Sequence, residues 1–402
     1  ALKIVFYDVY SELCQEKGVS CSRAAKEIGL SNSTVTKWKN TGAVPSGDTL
    51  AKVAAYFGVS VNDLIGEQKS PAGRAGGREG NNMDVQKKEQ ASARVSTRRP
   101  KLTIEQQVEH LKSKGVTFTL CTEEQAILFL KYSTFFFKVK AFDKDYEINP
   151  KTGKYLNLDF AYLTELSTLD MHLRRLILHA TLDIEHYLKV MLIREISEDP
   201  AEDGYEIVER FFNVYPDVKA SIGGKSENSM CRDLIHKLQK EGYAVWNLIE
   251  VISFGDLVNL CEVYDQNTGG KNEDLFRCLF AVRCLRNAAA HNNCLLNSMR
   301  TASTRKIRPS RFLTHFASTI PGVKETSREK KMSNPVIHDF IGLLLVYDKI
   351  VTSPKTREYF AAELHQLFNE RMLKHREYFQ KNEILVSSYS FVLKAINQLY
   401  PL

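Results

Sequence analysis

The sequence lacks a long uncharged apolar run and a paired-cysteine motif. Its richest apolar stretch, YSTFFFKVKAF at residues 132–142, contains Lys138 and Lys140, whereas a membrane-spanning helix needs about 20 mainly apolar residues. The eight cysteines form no C-x-x-C pair and have no regular spacing, which argues against a zinc site and a disulfide framework. We therefore expect a soluble cytoplasmic protein with reduced thiols, no metal, no cofactor and no membrane partner.

Strand-like alternation of apolar and polar residues is also missing. Apolar residues instead return every three or four positions, most regularly in residues 158–196 and 274–292, and this period is that of an amphipathic helix. At 402 residues the chain is long enough for two or three domains. The sequence therefore predicts an all-α protein with several domains.

Positive charge is concentrated in two segments. Residues 1–68 carry seven basic and seven acidic side chains, whereas residues 69–100 carry eight against three and residues 300–331 nine against two. The first basic segment is best explained as a solvated linker, because it has no aromatic residue and cannot bury enough apolar surface to offset its ordering entropy. For residues 300–331, solvation and contact with phosphate remain equally good explanations.

Residues 21–40, CSRAAKEIGLSNSTVTKWKN, have the spacing of a helix-turn-helix unit. Ala25 is small where two helices must cross, Gly29 allows a positive φ at the turn, and Ser31 can cap the second helix. The residues that this second helix is expected to present to DNA are Asn32, Ser33, Thr36, Lys37 and Lys39.

With residues 45–66 adding a fourth and a fifth helix, residues 3–66 resemble the Cro/repressor (XRE-type) family. That resemblance implies DNA binding. The alternative is a helical adaptor without a DNA role, and the zero net charge of the segment bears on this choice because strong DNA binders are usually basic. Dimerisation would double the contacts with DNA.

The motif RNAAAH at residues 286–291 raises the question whether an Arg/His pair at this spacing forms a nuclease site. Asn287 and His291 are four residues apart and share a helix face, and Arg283 lies four residues before Asn287 on the same stripe. The three alanines leave room for a substrate or a partner chain. The opposite, buried face is predicted to comprise Leu275, Leu279, Val282 and Leu285.

Two other Arg/His pairs provide a comparison. Arg174 and His179 enclose mainly apolar residues within a long amphipathic helix, so we interpret that pair as structural. Arg308 and His315 lie in the Pro-rich basic segment, where the sequence fixes no geometry. The Arg/His spacing alone is therefore a weak signal, and the segments around residues 286–291 must show whether the motif is functional.

Four of those segments resemble the Abi-like (AbiD/AbiF) abortive-infection family, which belongs to the HEPN superfamily of α-helical ribonucleases. They are QQVEHLKSKG, AILFLKYSTFFFKVKAF, LDMHLRRLILHATLDIEHYLK and VWNLIEVISFGDLVNL. The family motif corresponds here to Arg286, Asn287 and His291. This chain departs from the family pattern at Asn292 (often His), Cys294 (often Arg) and Leu296 (often Trp).

The resemblance implies phage defence in a bacterial cytoplasm by metal-independent RNA cleavage. His291 would act as general base or acid, Arg286 would stabilise charge on the phosphorane, and Asn287 would orient one of them. One His is half of an acid/base pair, which implies a homodimer with a composite site. The residues expected to bind RNA are Arg283, Arg305, Lys306, Arg308 and Arg311, and the RNA partner is a substrate or a guide or antidote RNA.

The predicted organisation is thus a five-helix helix-turn-helix domain and a flexible linker, followed by a HEPN-like helical bundle with its appendages. The predicted ranges are 1–68 for the helix-turn-helix domain, 69–100 for the disordered linker, 101–299 for the bundle, 300–335 for a basic loop and 336–402 for C-terminal helices that pack on the bundle. Two alternatives to the ribonuclease remain open. One is a transcription regulator with a catalytically inactive dimerisation or RNA-sensing body, and the other is an adaptor with no active end.

Overall fold

The structure is a computed structural model, and it describes residues 6–41, 45, 47–59, 64, 100–225, 229–299 and 310–401. The chain divides into two compact units, residues 1–99 and residues 100–402, called here the head and the body. Their described residues form helices and no strand beyond two isolated β-bridges. The prediction of an all-α fold is confirmed.

The head contains four described helices around a small aromatic core. These are α1 (Phe6–Glu16), α2 (Cys21–Ile28), α3 (Asn32–Thr41) and α4 (Gly47–Phe57). The Trp38 ring packs edge-on against Phe6 and Tyr10 at centroid distances of 5.0 and 5.5 Å. The predicted fifth helix falls mostly on residues outside the described ones, and so does the predicted linker apart from Pro100.

The turn between α2 and α3 has the predicted chemistry. Gly29 has a left-handed backbone with φ of 82° and ends α2, a conformation that costs a residue with a Cβ about 1–2 kcal/mol. The Ser31 hydroxyl accepts a hydrogen bond from the Thr34 backbone N–H at 3.3 Å. Ala25 is fully buried. The helix-turn-helix geometry expected from the sequence is therefore present.

The body is built from short helices around one long helix and one motif helix. The long helix α8 (Phe160–Glu198) starts at Asp159, whose carboxylate accepts from the Ala161 N–H at 3.0 Å. The helices before it are α5 (Ile104–Ser113), α6 (Glu123–Tyr132) and α7 (Phe136–Lys140), the last followed by a 3₁₀ turn at Ala141–Asp145. Those after it are α9 (Glu206–Val214), α10 (Pro216–Lys225), α11 (Arg232–Glu241), α12 (Val245–Leu248), α13 (Phe254–Asn267) and the motif helix α14 (Glu273–Ala290).

The C-terminal third completes the body. Its α-helices are α15 (Arg311–Thr319), α16 (Glu325–Met332), α17 (Pro335–Ile350), α18 (Pro354–His365) and α19 (Glu383–Leu399). Between α18 and α19 lie a π-helical turn (Gln366–Glu370) and two 3₁₀ turns (Arg371–Leu373 and Arg376–Tyr378). Among the described helices, none combines the length and the apolar character that crossing a membrane requires.

The motif helix α14 lies at the centre of the body core. It packs against α17, α8 and α13. All four residues predicted for its buried face are at most 5% exposed: Leu275, Leu279, Val282 and Leu285. The position of the motif is therefore fixed by a well-packed apolar face on the other side of the same helix.

The basic loop predicted at residues 300–335 needs correction, because the described part of this range, from residue 310, contains α15 and α16. Ser310 caps α15 by accepting a hydrogen bond from the Leu313 N–H at 3.0 Å, and Leu313 is buried in the body core. The prolines do not interrupt these helices. Pro321 follows the end of α15, and Pro335 is the first residue of α17, where the absent N–H costs nothing.

Candidate functional site

The three predicted catalytic residues lie together at the C-terminal end of α14. Arg286 and Asn287 are in its last turns, and His291 is the residue that caps it. Asn287 and His291 are exposed and Arg286 is half-buried. The Arg286 Nη1 donates a hydrogen bond to the Asn287 Oδ1 at 3.2 Å. An arginine and an amide are thus in contact, one helical turn before an exposed imidazole.

The alanines between them serve packing as well as access. Ala289 is 4% exposed and belongs to the body core, Ala288 packs against that core, and Ala290 is exposed. The sequence suggested that all three alanines leave room for a partner molecule. In the structure only the side of the helix with Ala290 is open, because Ala289 packs in the body core.

A Schellman motif ends the motif helix immediately after His291. Asn292 has a left-handed backbone with φ of 58°, and its N–H bonds to the Ala289 carbonyl at 3.1 Å. The Asn293 N–H reaches back to the Ala288 carbonyl at 2.9 Å, which completes the paired bonds of this motif. Asparagine tolerates the left-handed region better than most residues. The departure from the family pattern at Asn292 therefore has a structural role.

Two buried cations hold the carbonyl end of this turn. The Lys138 Nζ donates to the Asn292 backbone oxygen at 3.1 Å and to its Oδ1 at 2.7 Å. The Arg174 Nη1 donates to the Asn293 carbonyl at 3.3 Å. Both cations complement the negative end of the helix dipole. Burial lowers the pKa of Lys138, and the nearby Arg174 lowers it further.

A buried carboxylate anchors the next residues. We call residues 292–299 the post-motif segment. The Asp170 Oδ1 accepts hydrogen bonds from the backbone N–H groups of Leu295 at 2.6 Å and Leu296 at 2.8 Å, and Asp170 also forms an ion pair with Arg174. Asp170 is fully buried. The long helix α8 therefore holds the chain just beyond His291 through two of its own charged residues.

The far end of the post-motif segment has two more anchors. The Asp145 Oδ2 accepts from the Met299 N–H at 2.8 Å, and the Asn334 side chain donates to the Ser298 carbonyl at 2.8 Å. These partners come from the 3₁₀ turn after α7 and from the residue that caps α17. Together with α8, three separate elements therefore converge on one short stretch of backbone.

The two other departures from the family pattern also lie in this segment. The Cys294 thiol lies 3.8 Å from the Lys138 carbonyl oxygen, and burial raises the pKa of that thiol. The body has two apolar clusters, a larger one around α14 and α17 and a smaller one around α5, α6 and the start of α8, and Leu296 packs against both. Both residues are half-buried and contact the body, so these departures concern the anchoring of the site.

Arg283 is engaged within the body. Its Nη1 donates to the Asn259 Oδ1 at 3.4 Å, and its guanidinium lies 4.9 Å from the centre of the Phe280 ring. A Cβ at Gly255 would come within 2.9 Å of the Arg283 Cδ. Because Gly255 has no side chain, Arg283 can lie along the start of α13.

The remaining predicted RNA-binding residues are at the start of α15 or before it. Arg311 is exposed, and its backbone N–H donates to the Asp274 Oδ1 at 3.0 Å, which ties this end of α15 to the start of the motif helix. Arg305, Lys306 and Arg308 lie outside the described residues.

In the head, the predicted DNA-facing residues lie along α3. Ser33, Thr36, Lys37 and Lys39 are exposed, whereas Val35 and Trp38 are buried. The side chain of Asn32 lies outside the described ones. The alternation of buried and exposed positions gives α3 one polar face toward solvent.

The sequence analysis did not identify the anchoring residues Lys138, Asp145 and Asp170, and it interpreted Arg174 only as structural. The available signal was the placement of charge, because Asp170 and Arg174 stand one turn apart on the mainly apolar buried face of α8. A buried charge in such a stripe needs a partner. In the parts of the chain that the structure describes, no group of three or more His, Cys, Asp or Glu side chains could hold a metal ion.

Comparison with known families supports both resemblances. Residues 129–297 match the model of the Abi-like protein family, and residues 11–64 match the helix-turn-helix model. The two resemblances that the sequence predicted are thus confirmed over these two segments. The first match suggests a phage-defence function and the second suggests nucleic-acid binding. No curated protein and no solved structure matches the chain.

The Asp170 anchor yields a stability prediction. Asp170→Asn should destabilise the body by about 3–5 kcal/mol, because it leaves the Arg174 guanidinium buried without its counter-charge. Asp217→Asn, at an exposed position of α10, is the matched control and should change stability by less than about 0.5 kcal/mol. Urea unfolding followed by circular dichroism measures both, and equal stability of the two variants would contradict the role assigned to Asp170.

Proposed function

We propose that this chain is a phage-defence endoribonuclease that cleaves RNA without a metal ion, through Arg286, Asn287 and His291. The observation that carries the proposal is that these three residues, with Asn287 and His291 exposed and Arg286 half-buried, lie at the firmly anchored end of α14. A 2′-hydroxyl of the RNA would attack the adjacent phosphate, and the leaving 5′-oxygen would take a proton. The products would be a 2′,3′-cyclic phosphate and a 5′-hydroxyl.

Each side chain fits one part of that reaction. The His291 imidazole can accept or supply a proton near neutral pH, and the Arg286 guanidinium can bind the phosphorane oxygens with two N–H groups. The hydrogen bond between Arg286 and Asn287 restricts the guanidinium. The anchors on the post-motif segment restrict the backbone of His291, and such preorganisation contributes much of the rate enhancement in enzymes.

A complete acid/base pair requires a second imidazole. The motif of one chain contains a single histidine, and a symmetric pair of chains would supply two. An exposed apolar patch lies on the segment before Lys138: Leu128, Tyr132, Phe135 and Phe137 are all more than half exposed. It adjoins Lys138, which holds Asn292. This supports a homodimer with a composite site.

The first test compares the parent chain with His291→Ala on end-labelled RNA in EDTA, with cell extract added in parallel as a source of a trigger. Loss of the general acid/base should lower cleavage about 10²–10⁴-fold. His315→Ala is the matched control, because His315 is exposed on α15 and belongs to an Arg/His pair for which the sequence fixes no geometry. It should cleave like the parent.

The ends of the products identify the chemistry. Cyclic phosphate ends formed by the parent and the His315→Ala variant, but not by His291→Ala, would support the proposal. Equal behaviour of all three chains on several RNAs, with and without extract, would refute it. The remaining explanation would then be a regulator with a catalytically inactive body.

The composite site is tested by diluting parent chains with His291→Ala chains after unfolding and refolding them together. If both imidazoles of a dimer are needed, activity should fall with the square of the parent fraction, to about a quarter in an equal mixture. If each chain acts alone, the equal mixture should retain about half. A linear decrease would therefore contradict the composite site while leaving His291 catalytic.

The head is proposed to bind DNA through the exposed polar face of α3. This could place the enzyme on its own promoter or recruit it to nucleic acid. The zero net charge of residues 1–68 predicts that affinity depends on few phosphate contacts and on pairing of two heads. Lys37 and Lys39 carry the exposed ammonium groups that would contact phosphate.

Lys39→Ala should weaken binding to duplex DNA without regard to its sequence and reduce the slope of log affinity against log salt by about one. Lys52→Ala, at an exposed position on α4, is the control and should leave both quantities unchanged. Fluorescence anisotropy at several salt concentrations measures them. If both variants bind DNA like the parent, the phosphate contact is not made by Lys39.

A further inference from the structure

An apolar cavity lies between the two apolar clusters of the body, and none of the motif residues 286–291 lines it. Its volume is about 310 Å³, roughly twice that of an engineered cavity of about 150 Å³ that stays dry and binds benzene. Its walls include Leu169 of α8, Phe340 of α17 and Val392 of α19. Leu296 and Met299 of the post-motif segment complete the lining.

One rim of the cavity is irregular backbone. The π-helical turn contributes Phe368, and the second of the 3₁₀ turns that follow contributes Arg376. Short π-helical stretches are often found at functional sites. The lining side chains lack packing partners on the cavity side, so an apolar occupant would gain contacts with the walls.

The charge at the cavity is positive. Arg376 is exposed at the rim, and its guanidinium makes no ion pair or side-chain hydrogen bond with any residue that the structure describes. The acid beside it, Glu377, lies 3.5 Å from His375 instead. Behind the wall, the buried Lys331 donates to the hydroxyl of the lining residue Ser388 at 2.8 Å.

We infer that this cavity binds a single-chain anionic amphiphile, a medium-chain carboxylate, with its apolar tail between the clusters and its carboxylate on Arg376. The apolar walls select the tail, and the free guanidinium selects the head group. Because Leu296 and Met299 line the cavity, an occupant would also tighten the post-motif segment. The binding itself is independent of the ribonuclease proposal.

The test uses the full chain and three ten-carbon probes: decanoate, decanol and decyltrimethylammonium, each below its micelle concentration. Calorimetric titration should rank decanoate first, decanol weaker and the cation last. Arg376→Ala should weaken decanoate about five- to tenfold and leave decanol unchanged. The matched control Arg232→Ala, at an exposed arginine of α11, should change neither. No binding of decanoate, or equal loss for decanoate and decanol, would overturn the inference.

A second pair of variants locates the tail. Val392→Phe fills the cavity and should abolish decanoate binding, whereas Val190→Phe adds the same bulk at an exposed position of α8 and should not. Val386→Phe, at the exposed rim, gives the same comparison if Val392→Phe does not fold. Hydrogen exchange should show slower exchange at the Leu296 and Met299 amides of the parent when decanoate is present. Binding that persists in the filled variants would refute this site.

Discussion

The buried carboxylate of Asp170 is the constraint on which the functional end of the body depends. A fully buried anion is costly unless hydrogen bonds and a counter-charge compensate it. Asp170 obtains both, from the Leu295 and Leu296 N–H groups and from Arg174. These partners can meet only when α8 and the post-motif segment are held in one arrangement. The position of His291, one short turn before Leu295 in the chain, follows from that arrangement.

One face of the motif helix packs in the core, and the other carries polar side chains. Its leucines and Ala289 are buried against α17 and α8, while Asn287 and His291 face outward. The Schellman turn at Asn292 then reverses the chain so that the next residues return to the core. This geometry explains how exposed, polar side chains can still have a restricted backbone. Their rigidity comes from contacts made by the residues that follow them.

Features that depend on local sequence pattern, such as helices and turns, were predicted correctly. Contacts between residues far apart in the sequence were missed. Periodicity correctly indicated the helices and the buried face of α14, and glycine and serine chemistry correctly indicated the turn of the head. The partners of Asp170 in the post-motif segment lie 125 and 126 residues away in sequence, and no local pattern specifies such a pairing. The helices after Ser310 were missed because prolines at their boundaries were interpreted as interruptions.

The three departures from the family pattern lie at positions that anchor the site. Asn292 provides the left-handed turn and binds Lys138, while the half-buried Cys294 and Leu296 pack against the body. None of the three substitutions removes a group from the motif itself. A change at an anchoring position alters how the site is held, whereas a change at Arg286, Asn287 or His291 would remove one of the proposed reacting groups. The three side chains on which the proposed ribonuclease rests are therefore all retained in this chain.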